Sequence, residues 1–262
     1  MVHYAAALIT GASSGIGEAL AKQLPQTTDL LLHGRDETRL AALARSLARP
    51  GRRVEIVAAD LAVDGGPERV IAAAAKFGID LLINNAGIGN FGPFLMADPA
   101  REREMTLANV VAPVVITRAL LPGMLERARV GQGRAGLVIV ASVVGFAPIP
   151  HLATYAATKA FDLHWGRALA VELAAEPIDV LTLCPGSTAT RFAARAGEGG
   201  DDPRGHSPDR VASAALAALG HSRVTVVGFG NRVITTLFKI IPHGIVANAA
   251  ERATRGRRKA GS

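Results

Sequence analysis

The sequence predicts an α/β fold: a doubly wound, mostly parallel sheet of seven strands with helices on both faces. Three observations predict it. Short apolar runs alternate with longer amphipathic ones along the chain. The short runs are nearly continuous in Val, Ile, Leu and Ala, as in strands buried on both faces. A glycine-rich turn follows the first run and opens a helix, and right-handed crossovers then wind the chain to both sides of that strand.

Each element has its own signal. The first strand is Ala5–Ile9, and the helix Ile16–Leu24 follows the glycine turn. The leucine-rich Asp29–His33 is the second strand, with helix Glu37–Ala48 after it. Val54–Ala58 is the third strand, and helix Pro67–Lys76 begins on a proline, which suits a first helical turn. Leu81–Ile83 is the fourth strand, before the long helix Arg101–Leu125. Leu137–Ala141, helix Thr154–Ala174, Val180–Leu183, helix Pro208–Leu219 and Val224–Val227 complete the set. No repeat or linker interrupts the order, so residues 1–250 read as one domain. Residues 189–208 break the pattern with Gly197, Gly199, Gly200, Asp201, Asp202, Pro203 and Gly205. They follow the sixth strand, at the sheet edge where open sheets bind ligands, and read as a substrate lid.

Composition narrows the function classes. Apolar residues make up 49% of 262 and charged residues 19%, which excludes a disordered chain. The single cysteine, Cys184, excludes a disulfide framework and a thiolate metal cluster, and points to a reducing, cytoplasmic compartment. The seven histidines are scattered without ligand spacing, so no metal site is expected. The net charge of +7 is largely a tail property, since residues 252–262 hold Arg252, Arg255, Arg257, Arg258 and Lys259 and no acid. Without those five, 24 basic residues nearly balance 22 acidic ones. The basic tail, 251–262, reads as a frayed, solvated terminus, and no nucleic-acid partner is expected. No segment reads as a signal or a membrane span, because the longest uncharged run, Gly136–Thr158, is broken by Pro148, Pro150 and His151. Val233–Val246 is nearly all apolar and suits a subunit contact or pocket cover before a membrane contact.

The chemistry begins in the first turn, Thr10-Gly11-Ala12-Ser13-Ser14-Gly15-Ile16-Gly17. Glycines let backbone approach a phosphate, and the helix N-terminus offers it N–H donors and a positive dipole end. The position implies dinucleotide binding. The second strand ends His33-Gly34-Arg35-Asp36, where an acid would bind the ribose of NAD and an arginine the 2′-phosphate of NADP. Arg35 therefore favours NADP(H), with NAD(H) possible, while Asp36 has two readings, ribose ligand or helix cap.

Tyr155 and Lys159 stand four apart in a helical stretch, on one face. A phenol titrates near pH 10, and a nearby cation brings its proton within reach of acid–base work. Ser142, just past the fifth apolar run, can hold a substrate oxygen beside Tyr155. Asn109 is a poor residue for a helix interior and suits a local kink and a water.

Together these residues resemble the short-chain dehydrogenase/reductase family, in its single-domain branch. Thr10–Gly17 matches its T-G-x-x-x-G-x-G turn, and Asn84-Asn85-Ala86-Gly87 its N-N-A-G segment. Ser142, Tyr155 and Lys159 match its serine and Y-x-x-x-K, Asn109 its fourth catalytic position, and Pro185-Gly186 with Thr190 its P-G-x-x-x-T. The resemblance implies a Rossmann-type oxidoreductase acting on alcohols and carbonyls. In it Tyr155 exchanges the proton, Lys159 binds the nicotinamide ribose, Ser142 holds the substrate oxygen, and Asn109 keeps a water. It places Gly11, Ser13, Ser14, Gly15, Ile16 and Gly17 at the pyrophosphate and Asp60 near the adenine. Asn85, with Ala86 and Gly87, falls on the adenosine side, Pro185, Gly186, Thr188 and Thr190 at the nicotinamide, and Ser13 beside Arg35. It also implies a homodimer or homotetramer, often through the Tyr155 helix.

Phe91, Phe94, Val144, Phe146, Leu152 and Phe192 flank the site and suggest an apolar pocket for a hydrophobic ketone, aldehyde or secondary alcohol. His151 reads first as an exposed loop residue. Two other readings stand beside an NADPH-dependent carbonyl reductase. One is an NAD-preferring alcohol or hydroxysteroid-type dehydrogenase, and the other an NADP-binding redox-sensing module.

Overall fold

The computed structural model describes residues 3–190, 192, 196, 205–238 and 240–260. Seven strands form one sheet: β1 Ala6–Ile9, β2 Asp29–Gly34, β3 Val54–Ala58, β4 Leu81–Asn84, β5 Ala135–Val140, β6 Ile178–Cys184 and β7 Val224–Val226. Their spatial order is β3-β2-β1-β4-β5-β6-β7, and every neighbouring pair is parallel. The order reverses between β1 and β4, so a crevice opens at their carboxyl ends.

Helices cover both faces. Helices α1 (Gly15–Gln23) and α2 (Glu37–Leu47) bury Leu20, Leu40 and Leu43 against the side of the sheet that carries Ile9, Leu32 and Leu181. The other side buries Val70 and Phe77 of α3 (Gly66–Phe77) with Leu8, Leu82 and Ile139. A long helical stretch runs over that side as α4 (Pro99–Thr106), a π-turn at Leu107–Val111, and α5 (Ala112–Val130). Helix α6 (Ala153–Glu172) lies next to β6, and Gly166 lets it sit down closely: a Cβ there would come 2.2 Å from Thr182 Oγ1. Helix α7 (Pro208–Ala218) packs on α1, and its N-cap Ser207 accepts from Arg210 N–H.

Several expectations are corrected. Pro99–Val130 is 32 residues long and has a window of mean hydropathy 1.5, so it can span a membrane by length and composition, where no such segment was expected. Here Ala112, Ile116, Leu120 and Met124 of that helix lie in the core against the sheet. The apolar stretch after β7 forms helix α8 (Phe229–Leu237) and the start of α9 (His243–Ala260). The backbone of the basic tail continues α9 to Ala260. The expected lid falls largely outside the described residues, at 197–204. Its flanks are tied together, since Ala189 N–H donates to His206 O and His206 N–H to Ser187 O.

Candidate active site

A cleft of about 1560 Å³ lies along the carboxyl ends of the strands. The glycine turn forms one wall. Gly11 and Gly15 have φ of +69° and +62°, and a Cβ on either would come within 2.9 Å of Ala86 Cα or Thr190 Cγ2. Gly17 has no room either, with Gly11 O 2.4 Å from the place a Cβ would take. It is buried under the turn and does not line the cleft. Its role is to seat α1 against the turn, so that the helix N-terminus faces the crevice.

Polar side chains hold this turn. Thr10 Oγ1 accepts from Asn85 N–H at 2.9 Å and Ala86 N–H at 3.0 Å. Asn85 Nδ2 donates to Thr10 O at 2.9 Å and Gly11 O at 3.2 Å. Asn85 thus ties the β4 segment to the glycine turn. His33 braces the other side. Burial lowers its pKa to about 4, so the ring is neutral. Its Nε2–H donates to Ala59 O at 3.1 Å, and Nδ1 accepts the long 3.4 Å contact from Gly11 N–H. Thr10 stands in the turn motif and His33 at the end of the second strand, but the sequence assigns neither a bracing role. A polar residue on each flank of the turn is the signal that could have found them.

Arg35 lines the cleft at the end of β2 and is half exposed. Its Nη1 donates to Glu104 Oε1 at 2.9 Å and Asp60 Oδ2 at 3.5 Å. Glu104 comes from α4, with Arg101 on its second oxygen at 2.7 Å. Ser13 lies over Gly34, where a Cβ would come 3.1 Å from its Oγ. Asp36 caps α2, its Oδ1 accepting from Arg39 N–H at 3.0 Å, and it also lines the cleft.

Helix α6 brings Tyr155 and Lys159 to the opposite wall, with Ser142 beside them. Ser142 caps a 3₁₀ turn, Val143–Phe146, by accepting from Val144 N–H. Gly145 in that turn packs on α6, where a Cβ would come 2.5 Å from Lys159 O. The Tyr155 ring lies 5.3 Å from that of Phe192. Lys159 is buried, and its Nζ donates to Val140 O at 2.8 Å and Asp162 Oδ2 at 2.9 Å. Burial works against its charge, but Asp162, followed by Tyr155, outweighs that and holds the lysine pKa above its ordinary value.

Asn109 sits in the π-turn, as a kink-former should, but it faces a void of about 10 Å³ behind the cleft. Its Oδ1 accepts from Ile88 N–H, and its Nδ2 donates to Ile88 O and Thr158 Oγ1. It therefore pins the strand-four loop to α6. Lys159 and Asp162 line the same void.

Ser14, Ile16, Ala86, Gly87, Pro185, Gly186, Thr188 and Thr190 all line the cleft, with Gly11, Ser13, Gly15, Asp60 and Asn85. Of the apolar candidates, Phe91, Val144, Leu152 and Phe192 do so, joined by Ile149. Phe94 is exposed instead, and Phe146 packs under the Arg167 guanidinium. His151 is on the cleft rather than in open solvent. It is largely buried at φ +66°, with Nε2 2.8 Å from Glu251 of α9. No group of three or more His, Cys, Asp or Glu among the described residues is placed to hold a metal.

The chain resembles known proteins along most of its length. Residues 5–200 match the family described as short chain dehydrogenase. A very-long-chain 3-oxoacyl-CoA reductase of Yarrowia lipolytica is 34% identical over 66% of this chain, which spans 48% of that protein's length. Dehydrogenase/reductase SDR family member 7B of Xenopus laevis is 31% identical over 84% of this chain and 72% of its own length. A short-chain dehydrogenase of Sphingobium yanoikuyae, solved in complex with NADPH, superposes with a TM-score of 0.74. It is 30% identical over 97% of this chain and 94% of that one.

Proposed function

The chain belongs to the short-chain dehydrogenase family and is an oxidoreductase, and we propose that it carries hydride between NADP(H) and a hydrophobic ketone, aldehyde or secondary alcohol. One observation carries this reading. Tyr155 and Lys159 of α6, with Ser142, line the same cleft as the glycine turn. The cleft has room for a dinucleotide at about 1560 Å³, and the glycine turn that lines it packs too closely on Ala86 and Thr190 to carry side chains, so it presents backbone to the ligand. Arg35, with Ser13 beside it, favours a 2′-phosphate over a bare ribose.

NADPH, when bound, supplies the hydride. The protein supplies the rest. The N–H groups of the turn and the positive end of α1 take the pyrophosphate. Ser142 Oγ orients the carbonyl oxygen, and the Tyr155 hydroxyl gives it a proton during reduction or takes one during oxidation. The Lys159 ammonium makes that proton easier to release by favouring the phenolate. Phe91, Val144, Ile149, Leu152 and Phe192 suit an apolar substrate and keep water from the reacting carbon. By analogy with its family, the protein works as a homo-oligomer.

The test is absorbance of the reduced nicotinamide, with NADPH and NADH in parallel, over aldehydes, ketones, quinones and 3-oxoacyl thioesters. The last group enters because one relative is named for such a substrate. NADPH oxidation that disappears in Tyr155→Phe, with NADPH binding retained, is the expected result. Tight NADPH binding without turnover on any compound would overturn the enzymatic reading in favour of a sensor module.

A further inference from the structure

Behind the Tyr155–Lys159 pair stands a buried carboxylate. Asp162 lies three residues past Lys159 on α6, and the two side chains are only 4% and 6% exposed. Asp162 lines the void behind the cleft and not the cleft itself. An ammonium has three N–H donors. Val140 O and Asp162 Oδ2 take two of them, the carboxylate from behind the cleft. On the cleft side, Gly87 leaves the approach to Nζ open, where a Cβ would stand in contact at 3.6 Å.

A buried ammonium without a counter-charge sheds its proton or leaves the site. The titratable groups acting on this one are Asp162 and Tyr155 from α6 and Cys184 from β6, with Arg167 of α6 acting on Cys184. The π-turn and β5 present only the Asn109 amide and the Val140 carbonyl. Burial pushes the Cys184 thiol up to about 12, so it is neutral under ordinary conditions. Burial also raises the Asp162 pKa, and Lys159 opposes that. Asp162 is therefore the counter-charge.

We propose that Asp162 is a positioning residue that keeps Lys159 charged and seated at the back wall of the cleft, where its charge acts on the Tyr155 phenol. It touches neither substrate nor cofactor. The inference rests on the roles given above to Tyr155 and Lys159.

The experiment uses the full chain as wild type, Asp162→Asn and Asp162→Glu, each checked for folding by thermal melting. Acetic anhydride labelling across the alkaline range, read by mass spectrometry, follows the proton on Lys159 without substrate or cofactor. Lys22 and Lys76, both exposed, serve as internal references. The second readout is the alkaline limb of kcat/KM for carbonyl reduction with NADPH. In Asp162→Asn the labelling midpoint and the limb are both expected to fall by about one to three pH units, and Asp162→Glu to bring both back. A folded Asp162→Asn with both midpoints unmoved overturns the proposal. The wild type alone gives a further arm. Lys159 is expected to label with a midpoint above those of Lys22 and Lys76, and one below them overturns the proposal whether or not the variants fold. A shifted labelling midpoint in a protein that reduces no carbonyl supports the hold of Asp162 on Lys159 and overturns the enzymatic reading.

Discussion

Arg35 is already paired before any ligand enters. Glu104 and Asp60 share its guanidinium, and both pairs are exposed enough that each is worth about 0–1 kcal/mol. A 2′-phosphate offers a stronger, forked partner and displaces them. Arg35→Ala should therefore cost about 1.5–3 kcal/mol of NADPH affinity, roughly 10- to 150-fold, and leave NADH affinity nearly unchanged. Fluorescence titration of both cofactors checks this, and an unaltered ratio sinks the assignment. Glu104→Gln removes a competing carboxylate and should tighten NADPH binding in the same titration. His33 makes a different prediction, about pH. Its folded pKa of about 4 lies below the unfolded value of 6.5. The unfolded chain binds the extra proton, so the contribution is complete above pH 6.5 and is lost as pH falls toward 4. Its full size is about 3 kcal/mol. Urea midpoints measured between pH 7 and pH 4.5 should fall more steeply for the wild type than for His33→Asn, which cannot titrate there. Parallel slopes would show that acid acts elsewhere.

At the scale of elements, the site depends on how closely two of them approach. The Ser142 turn rests on α6 through Gly145, with no room for a methyl group against the Lys159 carbonyl. Gly145→Ala must push the turn off the helix, at about 1–3 kcal/mol of stability as for an overpacked core. Because Ser142 caps that turn, kcat is expected to fall by more than the loss of folded protein explains. Urea unfolding and kcat measured on the same preparation separate the two effects. The same elements show what a sequence can reveal. The strands were legible because a parallel sheet buries both faces and leaves runs such as Leu30–Leu32 and Leu137–Val140 without polar interruption. The glycine turn was legible because backbone approach excludes all other residues there. Helix α8 was not, since a nearly all-apolar stretch carries no helical period, and Phe229, Val233, Ile234 and Leu237 are exposed in the single chain. Asp162 was hidden for the opposite reason. A carboxylate three residues from a lysine on a helix has the pattern of a solvated surface pair, and only its depth gives it another meaning. Glu104 reaches Arg35 across 69 positions of sequence, a distance over which no local pattern carries information.

For the whole molecule, residues 3–190 build six strands of the frame and line most of the cleft, α7 and β7 complete the frame, and α8 and α9 close over it. Asn231 of α8 reaches Gly186, and Glu251 of α9 reaches His151 at the cleft. Away from the cleft, α5 and α6 expose Val115, Phe161 and Val171, with the Phe161 ring 5.9 Å from that of Trp165. Apolar surface on two adjacent helices suits a self-complementary contact, in which each helix meets its own copy across a two-fold axis. Such a contact would bury the outer face of the helix that carries Tyr155 and Lys159 and so stiffen the catalytic wall. The chain is therefore expected to exceed its 27.1 kDa monomer mass in light scattering. The double variant Phe161→Arg, Val171→Arg places two cations on each side of the axis. It should return the protein to monomer mass and lower its melting temperature, with NADPH binding retained because neither residue lines the cleft. A wild type that is already monomeric at micromolar concentration would remove α6 as the interface. The apolar face of α8 would then be the next surface to substitute, because Phe229, Val233, Ile234 and Leu237 are exposed there as well.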